Sequence, residues 1–193
     1  MIQLSVNEIL ERVKEKYANS KRLIHILGVA DLAKELANKF GLNEEKAYIA
    51  GLLHDYYKYE SVEVMLEIID DEEVMKKFSE APQIYHAYAS SKAAEVEFHI
   101  EDREILNAIK YHVYGRVDMT LMEKILVISD FAESSREYPR CKEVRKILDN
   151  GEFDLAMYLC IKYTIEAVLA SGNTPLEEQY EILEQLRKFV KEN

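Results

Sequence analysis

Apolar side chains recur at spacings of three and four along almost the whole chain, and capping residues interrupt the pattern at intervals. Ser20 precedes a run in which Leu23, Ile26, Leu27, Ala30, Ala33, Ala37 and Phe40 share one broad face, and Gly41 follows as a C-terminal stop. Asn43 opens a second run through Ala47, Ala50 and Leu53 to His54-Asp55, with Glu44 and Glu45 at the positive end of the helix dipole. Two shorter helical pieces are expected between Ser61 and Phe78. Pro82 suits the first turn of a helix over 84–98, and 101–112 forms another with Ile105, Ala108 and Ile109 inward. Thr120-Leu121-Met122-Glu123 reads as a capping box for a helix to Ser134. A segment near 142–148 ends before Gly151, and Asp154 caps a long apolar helix to Ala170. Thr174-Pro175-Leu176-Glu177 reads as a second capping box that starts the last helix. The first helix, over 7–17, reads either as part of the core or as a docked arm. No stretch alternates strictly, so the pattern predicts one all-α domain over residues 1–193, with about nine or ten helices and short loops.

Composition narrows the function classes. Of 193 residues, 48% are apolar and 32% charged, which supplies one core and a solvated surface and excludes a disordered chain. Six glycines and three prolines are too few for the tight turns of a sandwich or barrel. The net charge of -11 argues against a protein that grips a nucleic-acid polymer by its phosphates. Cys141 and Cys160 form neither a disulfide framework nor a CxxC metal motif, and they suit a reducing compartment. No leader pattern opens the sequence, and no apolar run approaches the ~20 residues that span a bilayer. The cytoplasm is therefore the expected location, with no membrane partner.

Chemistry concentrates in the histidines. His54-Asp55 ends the apolar stretch Ala50-Gly51-Leu52-Leu53, where an unpaired carboxylate is costly to bury and a divalent cation is one partner that offsets the cost. His25 lies in the apolar run of the earlier helix, and Asp130 interrupts Ile125-Leu126-Val127-Ile128-Ser129. His86 and His112 sit similarly, and with them the set comprises four imidazoles and two carboxylates, enough for two ions. That donor mix suits iron, manganese, cobalt or zinc better than calcium. His99, at an expected helix end, is left out. Each residue alone has a plain structural account: a core histidine with a hydrogen bond, or an Asp130 paired with Lys124 or Arg136. The set of six carries the inference, because six separate accounts are needed to replace it.

The ordered set resembles the signature of the HD-domain metal-dependent phosphohydrolases: an early His (His25), a His-Asp doublet (His54-Asp55) and a late Asp (Asp130). His86 and His112 resemble those of the subset with a two-metal site. The flanks, Ala50-Gly51-Leu52-Leu53-His54-Asp55-Tyr56-Tyr57-Lys58, Tyr111-His112-Val113-Tyr114-Gly115-Arg116 and Ser129-Asp130-Phe131-Ala132-Glu133 with Arg136, are similar to the YqeK family over roughly residues 20–185. The resemblance implies an HD-type helical bundle and a symmetrical diadenosine tetraphosphate hydrolase that yields two ADP. It implies two divalent or mixed-valence transition-metal ions, iron first, with manganese or cobalt as alternatives, at His25, His54, Asp55, His86, His112 and Asp130. By the same resemblance Lys58 and Arg136 join Asp55 in catalysis and contact the phosphates, and His86 and His112 also border the substrate. The loop Gly172-Asn173-Thr174-Pro175-Leu176-Glu177 is a further nucleotide-contacting segment. The chain departs from the family where Asn173-Thr174-Pro175-Leu176 replaces a His-Pro pair with a nearby Thr, and where Val113 replaces the usual Thr. A homodimer is compatible with the resemblance.

The chemistry of such a site is hydroxide attack at phosphorus, since a water on a divalent ion has its pKa lowered toward ~7. Two ions and two aspartates leave the cluster at +2, which attracts a polyphosphate despite the acidic chain. Residues 110–145 are locally balanced, with seven basic and six acidic residues. Arg116 is a further phosphate candidate beside its alternative as an exposed salt bridge. Among Tyr56, Tyr57, Tyr85, Tyr88, Tyr111 and Tyr114, an adenine-stacking ring competes with core packing. The competing functions are an HD-type nucleotidase or phosphodiesterase on another nucleotide, a nucleotide-binding sensor without turnover, and a purely structural bundle.

Overall fold

The computed structural model describes residues 4–190. Among them are eleven α-helices and no strand, one or two helices more than the sequence pattern predicts. They are α1 (Val6–Lys16), α2 (Lys21–Lys39), α3 (Glu44–Leu53), α4 (Val62–Ile69), α5 (Glu72–Lys77), α6 (Tyr85–Val96), α7 (Arg103–Tyr111), α8 (Leu121–Ala132), α9 (Pro139–Asp149), α10 (Phe153–Ala170) and α11 (Glu177–Arg187). A 3-10 turn over Pro82–Ile84 leads into α6.

The caps behave largely as their chemistry dictates. The Ser20 side chain accepts from Leu23 N–H and that of Asn43 from Lys46 N–H, while Thr120 and Glu123 satisfy each other's amides reciprocally. Several boundaries depart from expectation, three of them with a visible local cause. Helix α8 stops at Ala132 rather than Ser134, because Glu133 turns extended and Arg145 takes the carbonyls of Ala132 and Glu133. Helix α10 starts one residue before Asp154, which sits in its first turn instead of capping it. Helix α11 starts at Glu177, not at Thr174. A residue before proline is pushed extended, and the amide of Leu176 is instead satisfied by the Gln179 side chain at 3.0 Å.

Helix α1 belongs to the core. Ile9, Val13 and Tyr17 are buried, and full burial of the two aliphatic side chains contributes about 1.5–3 kcal/mol each, more than a loosely docked arm has. The Tyr17 hydroxyl lies 2.8 Å from the carbonyl oxygen of Asp55 and 3.1 Å from that of Tyr56, tying α1 to the end of α3. At the centre, α2 packs against α3 and α8, and α7 packs against both α3 and α8. Helices α9, α10 and α11 pack in succession on the α8 side, while α4 and α6 enclose a smaller cluster of Met65, Ile69, Val74, Phe78, Ile84, Tyr85 and Ala89. No helix of the described residues is long and apolar enough to cross a membrane.

Small side chains set the closest contact. Ala30, Ala33 and Ala37 of α2 meet Ala47, Ala50 and Gly51 of α3, all buried. A Cβ added at Gly51 would stand 2.4 Å from Ala30 Cα and 2.8 Å from Ala30 N, both backbone atoms. Gly51→Ala is therefore expected to destabilise the fold by about 1–3 kcal/mol, read as a lower urea midpoint with an unchanged m-value.

Candidate metal centre

Five helices deliver the six side chains to one place. His25 comes from α2, His54 and Asp55 from the end of α3, His86 from the start of α6, His112 from the end of α7 and Asp130 from α8. Helix ends explain how three of the rings are held. A terminal turn leaves carbonyls without amide partners, and the Nδ1 atoms of His54 and His112 donate to Gly51 O at 2.6 Å and Ile109 O at 2.7 Å. His86 does the same to Gln83 O, at 2.5 Å, from the 3-10 turn. His25 Nδ1 instead faces Glu133 Oε1 at 3.1 Å. With Nδ1 carrying the hydrogen in each ring, every Nε2 is left with a lone pair.

Those lone pairs converge. The Nε2 atoms of His25 and His54 are 3.4 Å apart, and the ring centroids of His54 and His86 lie 5.0 and 5.3 Å from that of His112. Asp55 spans the cluster. Its Oδ2 stands 3.4 Å from His54 Nε2 and 3.7 Å from His25 Nε2, and its Oδ1 stands 3.1 Å from His86 Nε2 and 3.8 Å from His112 Nε2. Asp130 Oδ1 lies 3.1 Å from His25 Nε2 and 3.8 Å from His54 Nε2. The ligand atoms of His25, His54 and Asp130 all lie within 4.8 Å of one another, and so do those of His54, Asp55 and His112.

The arrangement fits a metal. Asp55 is 2% exposed, and its Oδ1 has no hydrogen-bond donor. It faces acceptor nitrogens, an unfavourable contact that a cation between them turns favourable. Borderline imidazole nitrogens with carboxylate oxygens are the donor set of first-row transition metals.

Electrostatics point the same way. Burial alone pushes the Asp55 carboxyl up, but His54, His86 and Lys58 hold it well below the usual carboxylate range. Asp130 is likewise penalised by burial, yet Arg136, His25, His54 and His112 depress it. Burial pushes His112 down to about 3, helped by the neighbouring His54, so its ring stays neutral. Burial also opposes the charge on His54, but Asp55 and Asp130 raise it above the ordinary histidine value. A proton and a metal ion therefore compete for His54 Nε2.

Three cations ring the cluster. Lys58 Nζ lies 3.1 Å from His86 Nε2 and 3.8 Å from Asp55 Oδ1, while the nearby carboxylate of Glu60 pairs with Lys16 at 2.5 Å. Arg136 Nη2 donates to Asp130 Oδ1 at 2.9 Å, with Nε 4.0 Å from Glu133. Arg22 Nη1 donates to Asp55 Oδ2 at 2.6 Å, and its buried Nε has no partner. Arg22 and Glu133 are the residues that the sequence reading did not place here. Arg22 sits one turn before His25, a spacing that alone names no role.

The remaining candidates divide. Gly172, Asn173, Thr174 and Glu177 are exposed and Pro175 is buried. Leu176 reaches a cleft beside His112 that Phe78, Ile84, Tyr88, Tyr111 and Tyr114 also line. Arg116 is engaged by buried Glu123 in a bidentate pair at 2.9 and 3.0 Å, the salt-bridge account. Tyr56 packs on Phe98, and Tyr85 bonds Met75 O at 2.7 Å, both as core residues. His99 is exposed, away from the cluster.

The HD domain family model matches residues 22–150. The symmetrical bis(5'-nucleosyl)-tetraphosphatase of Bacillus subtilis is 36% identical over 88% of this chain and 90% of its own. Its counterpart from Staphylococcus aureus is 34% identical over 82% of each. A solved structure from Clostridium acetobutylicum, described as a predicted HD superfamily hydrolase involved in NAD metabolism, is 32% identical with a TM-score of 0.89, over 97% of this chain and 99% of that one.

Since a metal displaces the proton that Asp55 and Asp130 favour on His54, Mn²⁺ affinity is expected to rise with pH as His54 loses that proton, with proton release on binding. Calorimetry in buffers of different ionisation enthalpy checks the sign. A binding enthalpy independent of the buffer would contradict the assignment of His54 as a ligand.

Proposed function

The chain belongs to the HD-domain family, alongside the symmetrical bis(5'-nucleosyl)-tetraphosphatases, and on that premise we propose that it hydrolyses diadenosine tetraphosphate symmetrically to two ADP. The observation that carries the reading is the position of Asp55, whose two oxygens face different imidazole pairs of one buried cluster. This is the arrangement of a carboxylate that serves two cations. The six cluster residues would hold the ions, with iron as the proposed native metal. Two such ions supply positive charge against the phosphoryl oxygens and lower the pKa of a water toward ~7.

The protein's own groups do the rest. Symmetrical hydrolysis breaks the P–O bond at the middle of the tetraphosphate, water adds to one phosphorus, and each half leaves as ADP. Lys58 reaches across the cluster edge toward the equatorial oxygens of the reacting phosphorus and neutralises charge as it shifts to the leaving side. Arg136 fixes Asp130, and its free guanidinium edge takes a neighbouring phosphate. Arg22 fixes the Oδ2 side of Asp55 in the same way. The cleft of Tyr88, Tyr111, Tyr114 and Leu176 offers one adenine a ring to stack on, next to His112. Leu176 is the member of the 172–177 loop that serves this contact. Two free, buried thiols, Cys141 and Cys160, agree with a cytoplasmic enzyme acting on a free nucleotide.

Chromatography of the reaction with diadenosine tetraphosphate and Mn²⁺ or Fe²⁺ is expected to give two equivalents of ADP. ATP plus AMP would contradict the symmetrical cut, and no product would favour a binding protein. Lys58→Ala should lower kcat by about 10²–10³-fold with metal content unchanged. Asp55→Ala should abolish both metal retention and turnover while helicity by circular dichroism is preserved.

A further inference from the structure

His25 is held differently from the other three cluster histidines. It is the fifth residue of α2, where the carbonyls behind it are taken by the helix's own amides. Its Nδ1 therefore reaches out of the helix to Glu133 Oε1, at 3.1 Å. Glu133 is 0% exposed. Its Oε1 also accepts the Ser135 hydroxyl at 2.7 Å, and its Oε2 accepts Ser135 N–H at 2.6 Å. Arg145 pins the carbonyls of Ala132, Glu133 and Arg136 on the other side, so the segment carrying the carboxylate is fixed.

Space has been cleared for that carboxylate. A Cβ at Gly28, one turn beyond His25 on α2, would stand 2.5 Å from Glu133 Oε2. Burying a carboxylate is costly, and Ser135 with Arg136 Nε no closer than 4.0 Å is a weak compensation for it. The placement makes sense if the negative charge acts through the ring it touches. A carboxylate behind a ligating imidazole fixes the tautomer and ring direction and pushes electron density toward the other nitrogen. The backbone carbonyls behind His54, His86 and His112 carry no net charge.

We propose that Glu133 is a positioning residue for the metal centre, holding His25 as the Nδ1–H tautomer with Nε2 aimed at Asp130 and His54, and that Gly28 exists as glycine to admit it. The proposal rests on the reading of the six-residue cluster as a metal centre, and the test separates the two. Metal-free protein is titrated with Mn²⁺ and free manganese is followed by electron paramagnetic resonance. Long-range ¹H–¹⁵N spectra of the metal-free protein report the His25 tautomer. The wild type should bind Mn²⁺ and show His25 with its proton on Nδ1. Glu133→Gln should fold with wild-type helicity, bind Mn²⁺ about 10–100-fold more weakly, and lose the fixed tautomer. Gly28→Ala, which changes no ligand and displaces only the carboxylate, should move both readouts in the same direction.

A wild type that binds no Mn²⁺ overturns the metal-centre reading. A wild type that binds it while Glu133→Gln binds equally well overturns the role of Glu133. If Glu133→Gln does not fold, Gly28→Ala and the wild-type tautomer decide. A His25 proton on Nε2 in the wild type overturns the proposal outright.

Discussion

Four imidazoles and two carboxylates share one buried space, and apart from a proton that Asp55 and Asp130 favour on His54, nothing among them is positive. Two like unit charges 4 Å apart repel by about 4 kcal/mol at an effective dielectric of 20, and the aspartates sit within comparable distances of the same histidines. Their neighbours are arranged to absorb this. Arg22 holds Asp55 Oδ2, Arg136 holds Asp130 Oδ1, and Lys58 stands over His86 and Asp55 Oδ1. One oxygen, Asp55 Oδ1, is still left without a donor. The polar cluster is thus unbalanced in a single sense: it is short of cations at its centre and lined with cations at its edge. A centre that takes metal ions and then a polyphosphate has that distribution of charge.

The helical fold makes this imbalance affordable by anchoring the rings from behind. His54 and His112 stand where helices end, and His86 stands just after a 3-10 turn, so each ring finds a backbone carbonyl three residues back. The small residues at the α2–α3 crossing bring His25 close to His54, with ring centroids 5.3 Å apart. Tyr17 then fastens α1 onto the carbonyl of Asp55 itself. The packing of the core and the spacing of the ligands are therefore one constraint.

Much of this is legible in the residues. A polar ligand type inside an apolar helical run is visible for His25, His54, Asp55 and Asp130, because helical periodicity alone says those positions face inward. Helix starts with a Ser, Thr or Asn side chain are equally visible. The start of α11 is not, because Thr174-Pro175-Leu176-Glu177 satisfies the capping pattern two residues before the backbone turns helical, and a tertiary contact of Leu176 decides. Pro139 is a first-turn proline that places the start of α9 three residues earlier than the apolar pattern does. Arg22 and Glu133 are hidden for another reason. A charged residue on a helix reads as surface, and only the fold shows that their charges turn inward onto Asp55 and His25.

The same distinction bears on how an acidic protein handles a tetraphosphate. With a net charge of -11 the chain gives no long-range attraction to an anion, so recognition has to come from contact. The close cations are few, but each is partly desolvated and already oriented by a carboxylate of the cluster, so little side-chain freedom is left to lose on binding. Arg116 shows the contrast: its guanidinium is spent on Glu123 and stacks 5.1 Å from the Tyr111 centroid, which stiffens the wall of the tyrosine cleft instead of meeting phosphate. Charge near the metal centre is thus divided by geometry into groups that can still reach an anion and groups that hold the wall in place. On the proposed function, substrate selectivity would rest on that wall, which Val113, Tyr114 and Leu176 line, more than on the phosphate contacts that every nucleotide offers.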